Sequence, residues 1–304
     1  MSQKYSNDRQ TAASAFARPQ KSISSSNQNM CNPLQALIRS EPSIHSESDR
    51  KPVLVKAVEA DKGCDRIYKT LNQRIRDLVG SNGIAIEVEF DWRVRVGGNR
   101  GFCDLLLPVL HPVFGIPYIP ASTLKGVTRA WAEKHADPKV RELLGMLEGN
   151  QAKAAKVEFL DAFPTGACLS VDVANPQWKW DANPVRYGSS PFPSLSMETA
   201  TILVGIMPTE RGTKADTEIV RSWLENALKI GIGSRISSGY GRTTQYLASM
   251  PHSQYKFELW TEGMYGYNPP AKGNDYRGTH EFRPSALRGI LRYWFRAMAI
   301  LLRQ

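Results

Sequence analysis

The sequence predicts an α+β fold, and three observations predict it. Stretches of strict apolar–polar alternation, such as Ile84-Ala85-Ile86-Glu87-Val88-Glu89-Phe90-Asp91-Trp92, interleave with stretches whose apolar residues recur at helical spacing. From Ile84 onward the order of these stretches is strand, loop, helix, strands, helix, glycine loop, strand. That is the β-α-β-β-α-β order of a ferredoxin-like unit, the class of sheet that RRM modules also use. The third observation is a phrase that occurs twice. Pro120-Ala121-Ser122-Thr123-Leu124-Lys125-Gly126-Val127-Thr128-Arg129-Ala130-Trp131 aligns without a gap on Arg283-Pro284-Ser285-Ala286-Leu287-Arg288-Gly289-Ile290-Leu291-Arg292-Tyr293-Trp294. A repeat at domain-sized spacing predicts two copies of one structural unit. The chain therefore divides into an arm (residues 1–52), a main domain with insertions (53–250) and the truncated start of a second unit (251–304).

The elements follow in order. Residues 1–52 are rich in Ser, Asn, Gln and Pro and lack sustained periodicity, so they are expected to be disordered or loosely docked, with one short helical turn at Leu34–Arg39. Between Asp65 and Val79, Ile67, Leu71, Ile75, Leu78 and Val79 recur on one helical face, and Gly80 ends the run. The alternating strand from Ile84 leads into a loop with Arg93, Arg95, Gly97, Gly98, Arg100 and Gly101. Ser122 is then placed to cap a helix whose inner stripe is Leu124, Val127, Trp131, Ala132 and His135. Val157–Phe163, Cys168–Val173 and Ala200–Met207 read as strands. Thr217–Ile230 reads as a helix, with Gly231 just past its end. A glycine-rich loop leads to the strand Thr243–Leu247. The second unit opens with a strand at Tyr255–Trp260 and continues to a helix that Ser285 would cap. That helix sets Leu287, Ile290, Leu291, Trp294, Met298 and Leu301 on one side, a face that needs cover from the first unit, a partner or the rest of a second unit.

Composition narrows the function classes. With 39 Lys+Arg against 29 Asp+Glu the net charge is +10, which favours polyanionic partners. No apolar run approaches the roughly 20 residues that span a bilayer, so no membrane attachment is expected. Cys31, Cys64, Cys103 and Cys168 are scattered without metal-ligand spacing, which points to reduced thiols in the cytoplasm and no bound metal.

The strongest local signal is Gly231-Ile232-Gly233-Ser234-Arg235-Ile236-Ser237-Ser238-Gly239-Tyr240-Gly241-Arg242. Gly233, Gly239 and Gly241 let backbone approach a sugar-phosphate chain, Ser237 and Ser238 add hydroxyls, Arg235 and Arg242 add charge, and Tyr240 adds a stacking face. The alternative is a plain solvent-exposed hairpin. Lys125 and Arg129 sit in the first turns of the first repeated helix, where a cation opposes the helix dipole unless an anion shares the site. Arg93 and Arg95 are further candidates for RNA contact, with solvation as the alternative. His111 could serve as an acid or base, Asp161 and Asp172 could share a metal, and Trp178 and Trp180 could stack on bases; for all of these a structural role is the competing reading.

Taken together, these phrases resemble the RAMP superfamily of CRISPR effector proteins. The resemblance is carried by His111-Pro112-Val113-Phe114-Gly115-Ile116-Pro117-Tyr118-Ile119-Pro120 running into Ser122-Thr123-Leu124-Lys125-Gly126, by Phe159-Leu160-Asp161-Ala162-Phe163-Pro164, by Asp172 through Asn175-Pro176, and by the Gly231–Arg242 loop. Within it, residues from about 84 to 250 look like sixth subunits of the type III-B Cmr complex, and Phe257–Met298 looks like the opening of its first subunit. The chain departs from that pattern at Ala121, Gln177 and Arg235-Ile236. The resemblance implies a non-catalytic backbone subunit near the 3′ end of the CRISPR RNA. Its partners would be that RNA and other Cmr-type subunits, with target RNA engaged indirectly, and it would need no cofactor. The alternative within the superfamily is a metal-independent endoribonuclease that processes CRISPR RNA, with His111 as its base.

Overall fold

The computed structural model describes residues 31–40, 50–97, 107–148, 151–174, 178–179, 186–187, 192–243, 258, 260, 264–268 and 278–301. Most of the strands expected at Thr243–Leu247 and at Tyr255–Trp260, and Arg100, Cys103 and Trp180, lie outside them. In chain order the elements are α1 (Pro33–Ser40), α2 (Arg50–Lys62), α3 (Asp65–Val79), β1 (Ile84–Glu89), β2 (Arg93–Val94), α4 (Ala121–Lys134), α5 (Val140–Leu143), β3 (Met146–Glu148), β4 (Gln151–Lys153), β5 (Val157–Phe159), β6 (Phe163–Pro164), β7 (Leu169–Ala174), β8 (Trp178–Lys179), β9 (Arg186–Tyr187), β10 (Phe192–Glu198), β11 (Thr201–Pro208), α6 (Lys214–Ile230) and α7 (Pro284–Leu301).

Strand β11 organises the first sheet. It pairs antiparallel with β1, from Ile84↔Ile206 to Glu89↔Thr201, and on its other edge with β5 and β6. Its sequence Thr-Ile-Leu-Val-Gly-Ile-Met-Pro is apolar on both faces because both faces are covered. Ile202, Val204 and Ile206 belong to the core shared with α4 and α6, whereas Leu203 packs with Tyr68, Leu71 and Ile75 of α3. Gly205 lets α3 approach closely, since a Cβ there would stand 2.9 Å from the Ile75 side chain. A second sheet runs β2–β10–β7, and β3–β4 and β8–β9 are separate hairpins.

Helix starts differ from the sequence expectation. Helix α4 begins at Ala121, and its first N–H donates to Asp161 Oδ1 at 2.7 Å, so an aspartate from a neighbouring segment does the capping assigned to Ser122. Helix α7 begins at Pro284, which fits the first helical position and leaves Ser285 within the first turn. Helix α6 instead carries a capping box between Thr213 and Asp216.

Of the arm, residues 31–40 and 50–52 are described, and these are docked. Helix α1 covers the short turn expected at Leu34–Arg39 but is not loosely docked: Leu37 is fully buried in one cluster with Val53, Leu54 and Ala57 of α2 and with Val171 and Leu195 of the second sheet. Helix α2 crosses the boundary drawn at residue 52. Asp61 near its end accepts from the Tyr68 hydroxyl at 2.5 Å and from the N–H groups of Cys168 and Leu169 at 2.8 Å, tying the helix to β7.

Residues assigned to a second unit also reach the main domain. Asn268 accepts from the Val171 N–H at 2.8 Å and donates to Ser170 Oγ at 2.6 Å. His280 bridges to Tyr265, and the chain then passes Glu281 and Arg283 into the network described next. The division at 250/251 thus separates residues whose polar groups are joined in the folded chain.

Candidate nucleic-acid interface

The glycine-rich loop leaves α6 and folds back on β2 and the segment that follows it, residues 93–95. Ser234 N–H donates to Arg95 O at 2.8 Å, Gly241 N–H to Arg93 O at 2.7 Å, and Ile232 N–H to Gly241 O at 3.0 Å. Only glycine fits where the backbones meet. A Cβ at Gly241 would stand 1.9 Å from Ile232 O, and one at Gly233 2.5 Å from Arg95 O, and both have positive φ. Between them Arg235 takes a left-handed conformation (φ 61°, ψ 30°) that starts a single 3₁₀ turn, Ile236–Ser238. The loop thus has a clamped base and a projecting tip. At the tip Ser237 is exposed and Arg235, Ile236 and Ser238 are half-buried. Among the described residues the N–H groups of Arg235, Ile236 and Ser237 meet no backbone acceptor. Arg288 of α7 donates to Ser237 O at 2.7 Å, which brings one further cation to the tip.

Beneath the loop lies a buried charge network that the sequence did not indicate. Arg93 is not the solvent-facing loop cation expected: it is 1% exposed, on β2. Its Nε and Nη2 donate to the two oxygens of Glu281 at 2.6 and 3.0 Å, and its Nη1 donates to Ser196 and Ser170 at 2.8 and 3.0 Å. Arg283 donates to Asp172 Oδ1 at 2.9 Å and to Val173 O at 3.1 Å. Burial opposes the charge of Arg93 and of Asp172. The Glu281 hydrogen bond with the Asp172 and Glu198 charges outweighs it for Arg93, whose pKa is raised. The charges of Arg93 and Arg283 outweigh it for Asp172, whose carboxyl is held below its ordinary value.

Two other expectations fail for the same reason, burial. Tyr240 offers no open stacking face: it is 1% exposed, packs 4.8 Å from the Trp92 ring and donates to Asp172 Oδ2 at 2.6 Å. Burial, with the Asp172 charge behind it, pushes its pKa up to about 12. Arg95 is 4% exposed and bonds Ser234 Oγ through Nε at 3.2 Å, while its Nη1 is buried without an acceptor. Burial and the nearby Arg235 charge lower its pKa.

The remaining candidates separate. Arg242 leans on Lys229 O at the end of α6. Arg129 clamps the end of α5, donating to Leu144 O at 2.7 Å and Gly145 O at 3.0 Å, so it serves packing between helices. Lys125 lines a different depression with Ser122, Glu158 and Thr209, which no loop residue lines. Burial and the Arg129 charge lower its pKa. His111 accepts at Nδ1 from Val113 N–H (3.2 Å) and Phe114 N–H (3.3 Å) and stacks on Phe114. Asp161 and Asp172 do not converge, since one caps α4 and the other sits in the buried network. The residues that sequence reasoning missed are Asp172 as a network centre, Glu281, Arg283 and Arg288. Arg283 and Arg288 carried a signal in the repeated phrase, and Asp172 and Glu281 only in the phrases that carry the family resemblance.

Among the described residues no helix is long and apolar enough to cross a membrane. A family model described as the RAMP superfamily matches residues 87–244. No curated protein matches the chain. Among solved structures, a cryo-EM structure of a type III-B Cmr-beta complex bound to cognate target RNA is similar at 19% identity over 67% of this chain and 78% of that one, with a TM-score of 0.46. A crystal structure of Cmr6 from Pyrococcus furiosus is similar at 21% identity over 53% of this chain and 95% of that one, with a TM-score of 0.32. A type IV-B CRISPR complex follows at 13% identity, 56% and 96% coverage and a TM-score of 0.38.

Proposed function

This chain belongs to the RAMP superfamily, and on that premise we propose that it is an RNA-binding backbone subunit of a type III-B CRISPR ribonucleoprotein, without catalytic residues, metal or cofactor of its own. In this reading it works in the cytoplasm beside other Cmr-type subunits, holds CRISPR RNA near its 3′ end and meets target RNA only indirectly. The narrower subunit assignment rests on the order of sequence motifs from His111 to Arg242. Sheet order β1–β11–β5 with α4 and α6 on one face supports a ferredoxin-like domain, in which β11 is the third strand of the β-α-β-β-α-β unit.

The observation that carries RNA binding is the loop. Its base is fixed by backbone hydrogen bonds and its tip projects Arg235, Ser237 and Ser238, with Arg288 alongside. A tip held in one conformation binds a phosphate chain with little ordering cost. The RNA-contacting set is thereby narrowed to the tip and its flanking cations, because Arg93, Arg95 and Tyr240 are committed to the interior.

The test is a salt titration of binding to single-stranded RNA. If the tip neutralises about three phosphates, log K falls against log salt with a slope of roughly −2, and Arg235→Ala reduces that slope by about 0.7. A slope near zero would overturn the proposal. The endoribonuclease reading is tested in parallel with repeat RNA in chelator. Specific cleavage that disappears in His111→Ala would replace the present reading. The two N–H groups that donate to His111 Nδ1 occupy the lone pair a general base would use.

A further inference from the structure

Helices α4 and α7 carry the two copies of the repeated phrase and meet opposite fates. On α4, Leu124, Thr128 and Ala132 form one line at helical spacing, and all three are buried, because α6 and β5 cover them. The matching line on α7 is Leu287, Leu291 and Phe295, flanked by Ile290 and Trp294 where α4 has Val127 and Trp131. There Leu291 is 60% exposed and Phe295 75%, and Ile290, Trp294 and Met298 are exposed as well. The differences between the copies deepen the contrast. Thr128 and Ala132, on the covered helix, correspond to the larger and more apolar Leu291 and Phe295 on the open one. Helix α7 meets the body of the protein near its first turns, through Arg288 and Ser237 and through Pro284 against Gly239.

We infer that α7 is a docking helix, and that its occupant is an amphipathic helix of a partner protein with an acidic rim. That the occupant is a helix follows from the covered copy, where α6 supplies Val220, Trp223, Leu224 and Ala227 to the core it shares with α4. The rim follows from charge: α7 carries Arg288, Arg292 and Arg296 and no carboxylate. A second copy of this chain does not fit, because two α7 helices face to face would set arginine against arginine on chains of net charge +10. RNA is the competing occupant, since exposed Tyr293, Trp294 and Phe295 offer stacking faces beside the arginines; the aliphatic Ile290, Leu291 and Met298 between them favour an apolar protein surface, and RNA is an outcome of the test. The inference shares Arg288 with the RNA-binding reading but rests on the exposed apolar face of α7, so the two can fail separately.

The probe is a fluorescent peptide of residues 213–231, held helical by one lactam bridge on its outer face and carrying Lys214→Glu and Lys229→Glu to supply the acidic rim. It is titrated into the full chain. Saturable binding is expected, weakened at least about tenfold by Phe295→Glu or Leu291→Glu and weakened also when the two lysines are restored. Because both side chains are already exposed, these variants keep the parent melting temperature. Arg235→Ala leaves peptide binding unchanged, which separates this site from the loop. Absence of saturable binding, or binding indifferent to both α7 variants, overturns the inference. So does any of three other results that Phe295→Glu abolishes: self-association in sedimentation, adsorption to phosphatidylglycerol vesicles, or binding of oligouridylate.

Discussion

Arg93 and Arg235 carry the same charge on opposite sides of one loop, and they do different work. Arg93 lies under the loop base, fully enclosed, its side chain bonded to the carboxylates of Glu198 and Glu281 and to the hydroxyls of Ser170 and Ser196. Arg235 sits at the tip, half-buried, its guanidinium 5.9 Å from the Tyr240 ring. The lower arginine holds the upper one in place, because the carbonyls of residues 93 and 95 anchor the loop's N–H groups. The lesson is that a net positive charge does not by itself locate a polyanion site. Part of this chain's basic excess is spent on neutralising its own buried carboxylates.

The largest effect that would test this contrast is on stability. Asp172→Ala leaves Arg93 and Arg283 short of a buried counter-charge and is expected to cost about 3–5 kcal/mol, whereas Arg235→Ala should change stability by less than about 0.5 kcal/mol. Urea midpoints of the two variants decide it, and equal losses would erase the distinction between base and tip. Gly241→Ala comes next, at about 2–3 kcal/mol, because it forces a side chain into positive φ against Ile232 O. If it folds with parental stability, the loop base is not clamped as described.

A smaller effect concerns acid. Asp172 has its pKa depressed in the folded state, so the unfolded chain takes up its proton first as pH falls. The stability that this carboxylate contributes is whole above its unfolded value of about 3.9 and is lost as pH drops through the folded value. The gap between parent and Asp172→Asn in urea midpoint should therefore narrow between about pH 7 and about pH 3. A constant gap would mean that the carboxylate is not held ionised by its arginines. The smallest effect is Ser237→Ala, which removes one exposed hydroxyl and should lower RNA affinity by less than about tenfold without altering the salt slope.

Much of the fold was legible because its signals are local. Periodicity marks α3 and α6, alternation marks β1, and the glycines mark the loop. Helix α2 was missed for a local reason as well. It holds Val53, Leu54 and Ala57 among Lys, Glu and Asp, and Pro52 reads as a breaker although it lies in the first turn, where proline is tolerated. The buried network was not legible for the opposite reason. Ser170 and Asp172 alternate with apolar residues as on any half-solvated strand, and nothing near them in sequence announces that Glu281, Arg283 and Asn268 will enclose that face. Burial turned Arg93, Arg95 and Tyr240 from candidate contacts into interior groups, and long-range burial is what a linear pattern conveys least.

The Arg93–Glu281 pair spans 188 positions of the chain. On a ribosome adding about 5–20 residues per second, Arg93 waits roughly 10–40 s for Glu281 to be synthesised. Over that interval the sheets can form, with Asp172 and Glu198 as counter-charges, but Arg93 lacks its two shortest carboxylate bonds. Completion of the network under the loop is thus timed by the arrival of the C-terminal segment, and a nascent chain halted before residue 281 would carry the sheets with the loop base not yet fully braced.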